Sequence, residues 1–517
     1  MEYNTFATYN TPIPNNKEKL VVGIDIGTTK IACVVGKIDS LGKVTILGIG
    51  RSKSDGVKRG IVLNIDQTVA SIREAVHKAE MECGIKVHRV NVGIAGQHIK
   101  SIQQPGIYTR KDLETEISLS DLQALKDDMF KIHVPAGESI IHVIPQEYTV
   151  DTEGGIKDPV GMAGVRLQAN FHIITGSLPA IKNIYRCVKL SGLEVGELTL
   201  EPIASSAAVL SDEEKEAGVA LVDIGGGTTD IAIFHDGLIR HTAVIPFGGN
   251  ILTEDIKTGC SILSRHAEQL KVQYGSALAA ETQNAKVVVP GLNGRTPKEI
   301  TLGALSGIIE ARMKEILELV HFEIMRSGYE RKLIGGIVLT GGGAQLKHIK
   351  QLVEYITGLD CRIGKPIEHV VNYTDESQLP PALSTGVGLV ITGEENVGEE
   401  YFERVVGEEM VEAMGEEILE EDVLLVPDES TFAEAPMADD FMSYMNSIGV
   451  HSEEETQQEE ETNSGSFNQT TEMEMKKAVE EEEQQQHPAA ATRVRRSFGE
   501  SMMGRFKGFF ENDDAMN

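Results

Sequence analysis

Two near-copies of one short sequence decide the fold. The first is IDIGTTKIA, Ile24–Ala32, and the second is VDIGGGTTDIA, Val222–Ala232. Apart from two extra glycines in the second, they match almost position for position. Each lies between two apolar stretches that predict β-strands, so each is predicted to be a β-hairpin with Gly and Thr at its tip. We call them the first and second hairpins.

The composition of both hairpin tips is that of a phosphate-binding loop. Glycine lets backbone N–H groups approach phosphate oxygens, and threonine hydroxyls can donate to the same oxygens. The aspartates at the two strand ends are candidates to hold Mg²⁺, through water molecules, and Lys30 adds a positive charge beside the phosphates. The candidate residues are Asp25, Gly27, Thr28, Thr29 and Lys30 in the first hairpin, and Asp223, Gly225, Gly226, Gly227, Thr228 and Thr229 in the second.

A third glycine-rich element follows the two hairpins. IVLTGGGA, Ile337–Ala344, predicts a strand that enters a triple glycine, and residues Leu346–Ile356 predict a helix after it. In that arrangement a ligand can lie against the backbone of Gly341, Gly342 and Gly343 at the helix start. One such segment alone could be an ordinary glycine-rich turn, but all three in this order indicate a nucleotide site.

Together the three elements resemble the phosphate 1, phosphate 2 and adenosine motifs of the actin, Hsp70 and sugar-kinase superfamily, over residues 20–392. The resemblance implies an α/β fold of two lobes with ATP and Mg²⁺ held between them. Glu201, in LEPIA, resembles a Glu-Pro connection that lies near metal and attacking water, so Glu201, Asp25 and Asp223 are the candidates for catalysis. Glu201 could equally be a helix-start carboxylate before Pro202.

Glu268 and Lys271, in AEQLK, resemble a Glu-x-x-Lys that holds ribose and adenine in actin-like proteins. At positions i and i+3 they could equally be an ion pair on a helix surface.

The domain organisation is predicted from changes in the pattern along the chain. An α+β insertion, residues 87–172, interrupts the first lobe; it resembles subdomain 1C (SHS2) of the FtsA and PilM families. Segments VGIAG, residues 92–96, and IPQEY, residues 144–148, resemble the FtsA family of bacterial cell-division proteins. The first lobe is then residues 18–86, 173–208 and 380–392, and the second lobe is residues 209–379 with a subdomain at about 236–311.

Acidic residues are concentrated near the C-terminal end. The formal net charge is −31, and the stretch Gly393–His487 holds 30 Asp and Glu against 3 Lys and Arg. Such a composition cannot bury enough apolar surface to fold, so residues 393–490 are predicted to be a disordered linker. Residues 408–426 could instead form a transient helix or a docking motif. A chain without a basic surface gives no reason to expect a nucleic-acid partner.

Residues 491–517 are predicted to form an amphipathic helix that lies on a membrane surface. Apolar residues recur there at steps of three and four, with basic residues beside them. The alternative is a helix that docks on its own domain or on a protein partner. The apolar set is Val494, Phe498, Met502, Met503, Phe506, Phe509 and Phe510, and the basic set is Arg493, Arg495, Arg496, Arg505 and Lys507.

Cysteine usage and the N-terminal sequence predict a cytoplasmic protein. Five cysteines are scattered without a CxxC pair, which favours a reducing compartment. The first 20 residues lack the features of a signal peptide, and no apolar run is long enough to span a bilayer.

The resemblance to the FtsA family implies a scaffold more than an enzyme, with ATP hydrolysis at most slow. It implies self-assembly into actin-like filaments, binding of FtsZ, anionic lipid as a partner at the cytoplasmic face of the division site, and recruitment of later division proteins. The alternatives on the same fold are a PilM-like adaptor of a pilus or secretion machine, a small-molecule kinase and a chaperone-like ATPase. A kinase needs an acidic base facing a substrate pocket, and a chaperone needs a β-rich peptide-binding domain.

Overall fold

The computed structural model describes residues 19–39, 41–111, 115–282, 285–291, 296–371 and 379–395. The predicted acidic linker beyond Glu395 and the predicted membrane-binding helix lie outside the described residues.

The described residues alternate between strands and helices. The strands are β1 (Lys19–Ile26), β2 (Lys30–Ile38), β3 (Val44–Lys53), β4 (Val57–Lys58), β5 (Ile61–Val62), β6 (Arg89–Ile94), β7 (Lys100–Thr109), β8 (Glu138–Val150), β9 (Glu153–Ile156), β10 (Arg166–Ser177), β11 (Glu194–Leu200), β12 (Val219–Ile224), β13 (Thr229–His235), β14 (Leu238–Ile245), β15 (Lys286–Val289), β16 (Lys298–Thr301), β17 (Ile337–Thr340) and β18 (Cys361–Ile363). The helices are α1 (Ile65–Cys83), α2 (Leu119–Phe130), α3 (Leu178–Leu190), α4 (Glu201–Val209), α5 (Asp212–Ala217), α6 (Gly249–Cys260), α7 (Ser264–Tyr274), α8 (Leu302–Arg326), α9 (Ile349–Thr357) and α10 (Ser384–Glu395).

Each lobe is built on a five-stranded mixed sheet. The first has the strand order β11–β6–β1–β2–β3 and the second has the order β18–β17–β12–β13–β14. In both, the central hairpin is antiparallel and the next two strands run parallel to its first strand. The similarity of the two short hairpin sequences therefore extends to the topology of two whole sheets.

Both faces of the first sheet are covered by helices. Helices α1 and α3 contribute to an apolar cluster on one face, and α10 contributes to a second cluster with residues of both lobes. Burial on both faces explains why the strands read as continuous apolar runs. Helix α1 is capped by Asn64, whose side chain accepts from Gln67 N at 3.0 Å, and it ends at Gly84, where φ is 70°.

A separate antiparallel sheet, which we call the inserted sheet, has the order β7–β10–β8–β9. Helix α2 packs on it through Leu125 and Met129, beside the buried Phe171. Strand β6 pairs with β1 and β11, so the predicted start of the insertion at residue 87 is too early. Strand β10 stays in the inserted sheet as far as Ser177, so the predicted end at residue 172 is also too early. An apolar pattern indicates a strand but not the sheet that it joins.

The predicted subdomain of the second lobe has a similar error at its start. Strand β14 is the edge of the second sheet, so the sheet continues past residue 236. The elements that follow it are α6, α7, the β15–β16 pair and α8.

Within the described parts of the chain, none of the helices combines the length and the apolar character that crossing a membrane requires.

Candidate functional site

The two hairpin tips meet. Thr29 Oγ1 donates a hydrogen bond to Asn250 Oδ1 at 3.3 Å, at the start of α6 in the second lobe. A methyl group at Gly226 would overlap Thr29 Oγ1, and a Cβ at Gly227 would lie 2.5 Å from Thr28 Oγ1. Because glycine has no side chain, the second tip can lie this close to the threonine side chains of the first tip.

The two tips, the triple glycine and residues of α6 and α7 line a cavity of about 450 Å³. This volume is within the range of small-molecule and cofactor sites. All predicted nucleotide-binding residues line it except Thr229, which is buried and whose hydroxyl donates to Phe247 O at 2.8 Å. The lining residues are Asp25, Gly27, Thr28, Thr29, Lys30, Glu201, Asp223, Gly225, Gly226, Gly227, Thr228, Asp230, Gly249, Asn250, Leu252, Glu268, Lys271, Val272, Gly275, Gly341, Gly342, Gly343, Gln345, Leu346, Lys347, Pro381, Ala382 and Thr385.

The aspartates at the strand ends differ in their partners. Asp25 Oδ2 lies 2.9 Å from Lys30 Nζ in an ion pair within the first hairpin. Asp223 Oδ2 accepts from Ser205 Oγ at 2.8 Å, and Ser205 belongs to α4 of the first lobe. Burial, opposed by that hydrogen bond, raises the pKa of Asp223 to about 6, with a further rise from Asp25.

Asp230 is a cavity residue that the sequence reasoning missed. Its Oδ2 accepts from Thr228 Oγ1 at 2.9 Å, whereas its buried Oδ1 has no hydrogen-bond partner among the residues that the structure describes. Burial, together with the charge of Asp223, raises the pKa of Asp230 to about 8. The repeat could have identified Asp230 as a site residue, because it occupies the position in the second hairpin that Lys30 has in the first.

Glu201 is the fourth acid and begins α4. It does lie at a helix start before Pro202, as the alternative interpretation held, but it also lines the cavity. It packs on β6, where a Cβ at Gly93 would lie 2.9 Å from its Cγ. Burial, followed by the charges of Asp25, Asp230 and Asp223, raises the pKa of Glu201 well above its usual value, and Lys30 opposes the rise.

Glu268 and Lys271 form an ion pair in α7, with 2.7 Å between Oε2 and Nζ. Lys271 Nζ also donates to Gly249 O at 2.7 Å and to Thr253 Oγ1 at 2.8 Å, which ties α7 to the start of α6. The pair therefore lies at the cavity wall and is not an ordinary surface pair.

The triple glycine packs against the second hairpin but does not lead directly into an α-helix. A Cβ at Gly341, where φ is 83°, would lie 2.6 Å from Ile224 O, whereas one at Gly342 would meet no atom within 4 Å. Residues Gly343–Gln345 form a 3₁₀ turn, and α9 starts only at Ile349, so the predicted helix start at Leu346 is wrong. His348, with φ of 61°, interrupts the helix, and its Nδ1 lies 2.9 Å from Ser276 Oγ.

Two lobes with duplicated sheets and a cavity between their hairpins define the class of protein as actin-like. Among solved structures the chain resembles one described as the PilM-PilN type IV pilus biogenesis complex. The TM-score is 0.53 with 15% identity, over 73% of this chain and 99% of that chain, which is a likeness of fold.

Sequence comparison identifies the family. Residues 220–388 match the model of "Cell division protein FtsA", and residues 96–175 match that of the "SHS2 domain inserted in FTSA". Cell division protein FtsA of Pseudomonas aeruginosa is 42% identical over 376 residues, covering 72% of this chain and 89% of that protein. The FtsA of Escherichia coli K12 is 37% identical over 386 residues, covering 73% and 91%. The chain belongs to the FtsA family of cell division proteins, which confirms the resemblance found in its sequence.

Proposed function

We propose that the chain binds ATP with Mg²⁺ in the cavity between the hairpins. The observation that carries this proposal is the contact between the two tips, Gly226 and Gly227 against Thr29 and Thr28, at the wall of one cavity. Two glycine-rich tips at one wall offer backbone N–H groups and hydroxyls to a chain of phosphates.

The donor chemistry of the cavity fits this ligand. Gly27, Thr28, Thr29, Lys30, Gly225, Gly226, Gly227 and Thr228 are the proposed phosphate contacts. Glu268, Lys271, Gly341, Gly342 and Gly343 are the proposed nucleoside contacts. Bound Mg²⁺ would supply positive charge beside the phosphates and the acids.

Asp25 and Asp223 are the proposed metal residues. Hard carboxylate oxygens suit Mg²⁺, and Asp230 Oδ1, which has no hydrogen-bond partner among the described residues, is a further oxygen at this wall. Among the residues that the structure describes, no three His, Cys, Asp or Glu side chains are arranged to ligate one metal ion together. We therefore expect the contacts from Asp25 and Asp223 to pass through water.

Slow hydrolysis is the proposed limit of any catalytic activity. Glu201, Asp25 and Asp223 are the candidates for a general base. A general base must be ionised at the working pH to accept a proton, and the raised pKa of Glu201 disfavours its ionised form in the nucleotide-free chain. The arrangement favours nucleotide binding over rapid turnover.

In the cell, we propose that the ATP-bound form assembles into actin-like filaments that anchor FtsZ at the cytoplasmic face of the membrane and recruit later division proteins. Membership of the FtsA family supports this role. The subdomain of the second lobe that was predicted at about residues 236–311 is the proposed FtsZ site. The proposed lipid contacts are Phe498, Met502, Met503, Phe506, Phe509, Phe510, Arg495, Arg496, Arg505 and Lys507.

Two measurements test the proposal. Calorimetric titration of the full chain with ATP and Mg²⁺ should give saturable binding, and no heat of association would overturn the nucleotide assignment. Liposome co-sedimentation of FtsZ should need the full chain, and a chain without residues 490–517 should leave FtsZ in the supernatant. Equal sedimentation of FtsZ with both chains would show that this helix does not anchor FtsZ to the membrane.

A further inference from the structure

A buried histidine of the inserted sheet reaches the backbone beside the cavity. His142, in β8, accepts a hydrogen bond at Nε2 from Leu200 N at 3.0 Å. Leu200 ends β11 and is the residue before Glu201, the first residue of α4. The contact therefore joins the inserted sheet to the chain segment that carries a cavity acid.

Helix α4 positions two of the cavity acids. Glu201 at its start lines the cavity directly, and Ser205, one turn later, donates to Asp223 Oδ2 of the second hairpin. Ser205 Oγ also lies 3.1 Å from Thr385 Oγ1 of α10. A shift of the α4 start would therefore move Glu201 and the partner of Asp223 together.

The neutral form of His142 is required for this contact, because a protonated imidazole has no acceptor nitrogen. Burial, with smaller contributions from Lys126 of α2 and His172 of β10, lowers the pKa of His142 to about 4. At neutral pH the imidazole is therefore uncharged and Nε2 is available to accept from Leu200.

We propose that His142 is a positioning residue of the cavity, which fixes the start of α4 and thereby places Glu201 and Ser205 for cation-assisted nucleotide binding. The inference rests on the proposed function for its ligand. The described residues that line the cavity lie outside the inserted sheet. The inference therefore gives the inserted sheet a role in the nucleotide site through α4.

The test compares three variants of the full chain. His142→Leu removes the acceptor at similar size, and His142→Gln keeps an acceptor at nearly the same reach. His172→Leu is the matched control, since His172 is also a buried histidine of the inserted sheet but contacts Gln103 Nε2 at 2.9 Å and Thr242 Oγ1 at 3.2 Å. If His142→Leu does not fold, His142→Asn replaces it, because its shorter side chain is polar but does not extend to the position of Nε2.

The first readout is hydrogen–deuterium exchange of the segment Thr199–Ser205. His142→Leu should speed exchange of the Leu200 and Glu201 amides roughly tenfold or more, because exchange reports local opening. His142→Gln should restore slow exchange, and His172→Leu should leave this segment as in the unaltered chain. Exchange that is unchanged in His142→Leu would overturn the proposal.

The second readout is the ratio of ATP dissociation constants measured without and with Mg²⁺. His142→Leu should lower this ratio several-fold, His142→Gln should restore it, and His172→Leu should leave it unchanged even if its melting temperature falls. A merely structural role would lower stability in both Leu variants and leave the ratio the same in each, which would contradict the proposal. If the unaltered chain binds no ATP, the proposed function fails by itself, and the exchange experiment still decides whether His142 positions α4.

Discussion

The first and second hairpins have nearly the same sequence, but one equivalent position is the basic Lys30 in the first and the acidic Asp230 in the second. In the first, Lys30 forms an ion pair with Asp25, so the acid at the strand end is neutralised locally. In the second, Asp230 takes the place of the lysine, and within the described part of the chain its Oδ1 has no hydrogen-bond partner. The shared Gly and Thr residues give both tips the same donors, whereas at this single position the second hairpin has a buried carboxyl with a raised pKa in place of a lysine.

This difference between Lys30 and Asp230 suggests that the two hairpins have different roles in binding. We propose that the first hairpin offers the Lys30 ammonium to phosphate oxygens and that the second offers carboxyl oxygens to a metal ion or to water. Because the tips touch, both hairpins line the same cavity. A ligand with both an anionic and a cationic part therefore complements this cavity better than a purely anionic or a purely cationic ligand.

The largest expected effect comes from separating the tips. Gly226→Ala places a methyl group on Thr29 Oγ1, so we expect the affinity for Mg²⁺-ATP to fall by roughly 100-fold, or about 2.7 kcal/mol. Calorimetry measures it. Gly303→Ala is the control, because a Cβ at Gly303 in α8 would meet no atom within 4 Å. Equal affinity in Gly226→Ala and the unaltered chain would show that contact between the tips is unnecessary.

Asp230 of the second hairpin should make the free energy of unfolding depend on pH. The pKa of Asp230 is raised to about 8 in the folded chain from a usual 3.8, so the folded state holds a proton that the unfolded state releases. In the absence of ligand, the free energy of unfolding should therefore fall as the pH rises from about 4 to about 8.

Asp230→Asn should remove that part of the slope and raise the free energy of unfolding at pH 8 by about 1–3 kcal/mol. Urea unfolding at several pH values measures it. The same substitution should weaken Mg²⁺-dependent binding. A variant no more stable than the unaltered chain at pH 8 would mean that Asp230 is not a source of repulsion.

The corresponding change in the first hairpin should have the opposite sign. Lys30→Met leaves Asp25 without its ion-pair partner, so we expect a loss of about 1 kcal/mol in stability. ATP affinity should fall roughly tenfold, since a charge beside the phosphates is lost. If Lys30→Met and Asp230→Asn change stability in the same direction, the proposed asymmetry between the hairpins is wrong.

The smallest effect on binding is expected from Thr229, the one predicted contact that does not line the cavity. Thr229→Val removes its hydrogen bond to Phe247 O and should cost about 1 kcal/mol of stability. ATP affinity should change less than twofold. Thr228→Val, at the cavity wall, is the comparison, and a larger loss of affinity in Thr229→Val than in Thr228→Val would reverse this assignment.

Local sequence was sufficient to predict the elements whose apolar pattern depends only on neighbouring residues. The apolar stretches on either side of the two hairpin tips were predicted to be strands, and they form β1, β2, β12 and β13, because an apolar run and the glycines that end it depend on neighbours in the chain. The hairpin repeat likewise predicted which residues meet at the cavity, because two copies of one phosphate-loop pattern suggested two halves of one site.

Only the tertiary structure decided which sheet each strand joins and which charges remain unpaired. Strand β6 reads like a strand of the insertion until its pairing with β1 is seen, and Asp230 reads like a hairpin residue until its buried environment is known. Pairing and burial arise from residues far apart in the chain. The sequence by itself therefore determined the kind of ligand groups present, whereas the fold determined their partners and their protonation.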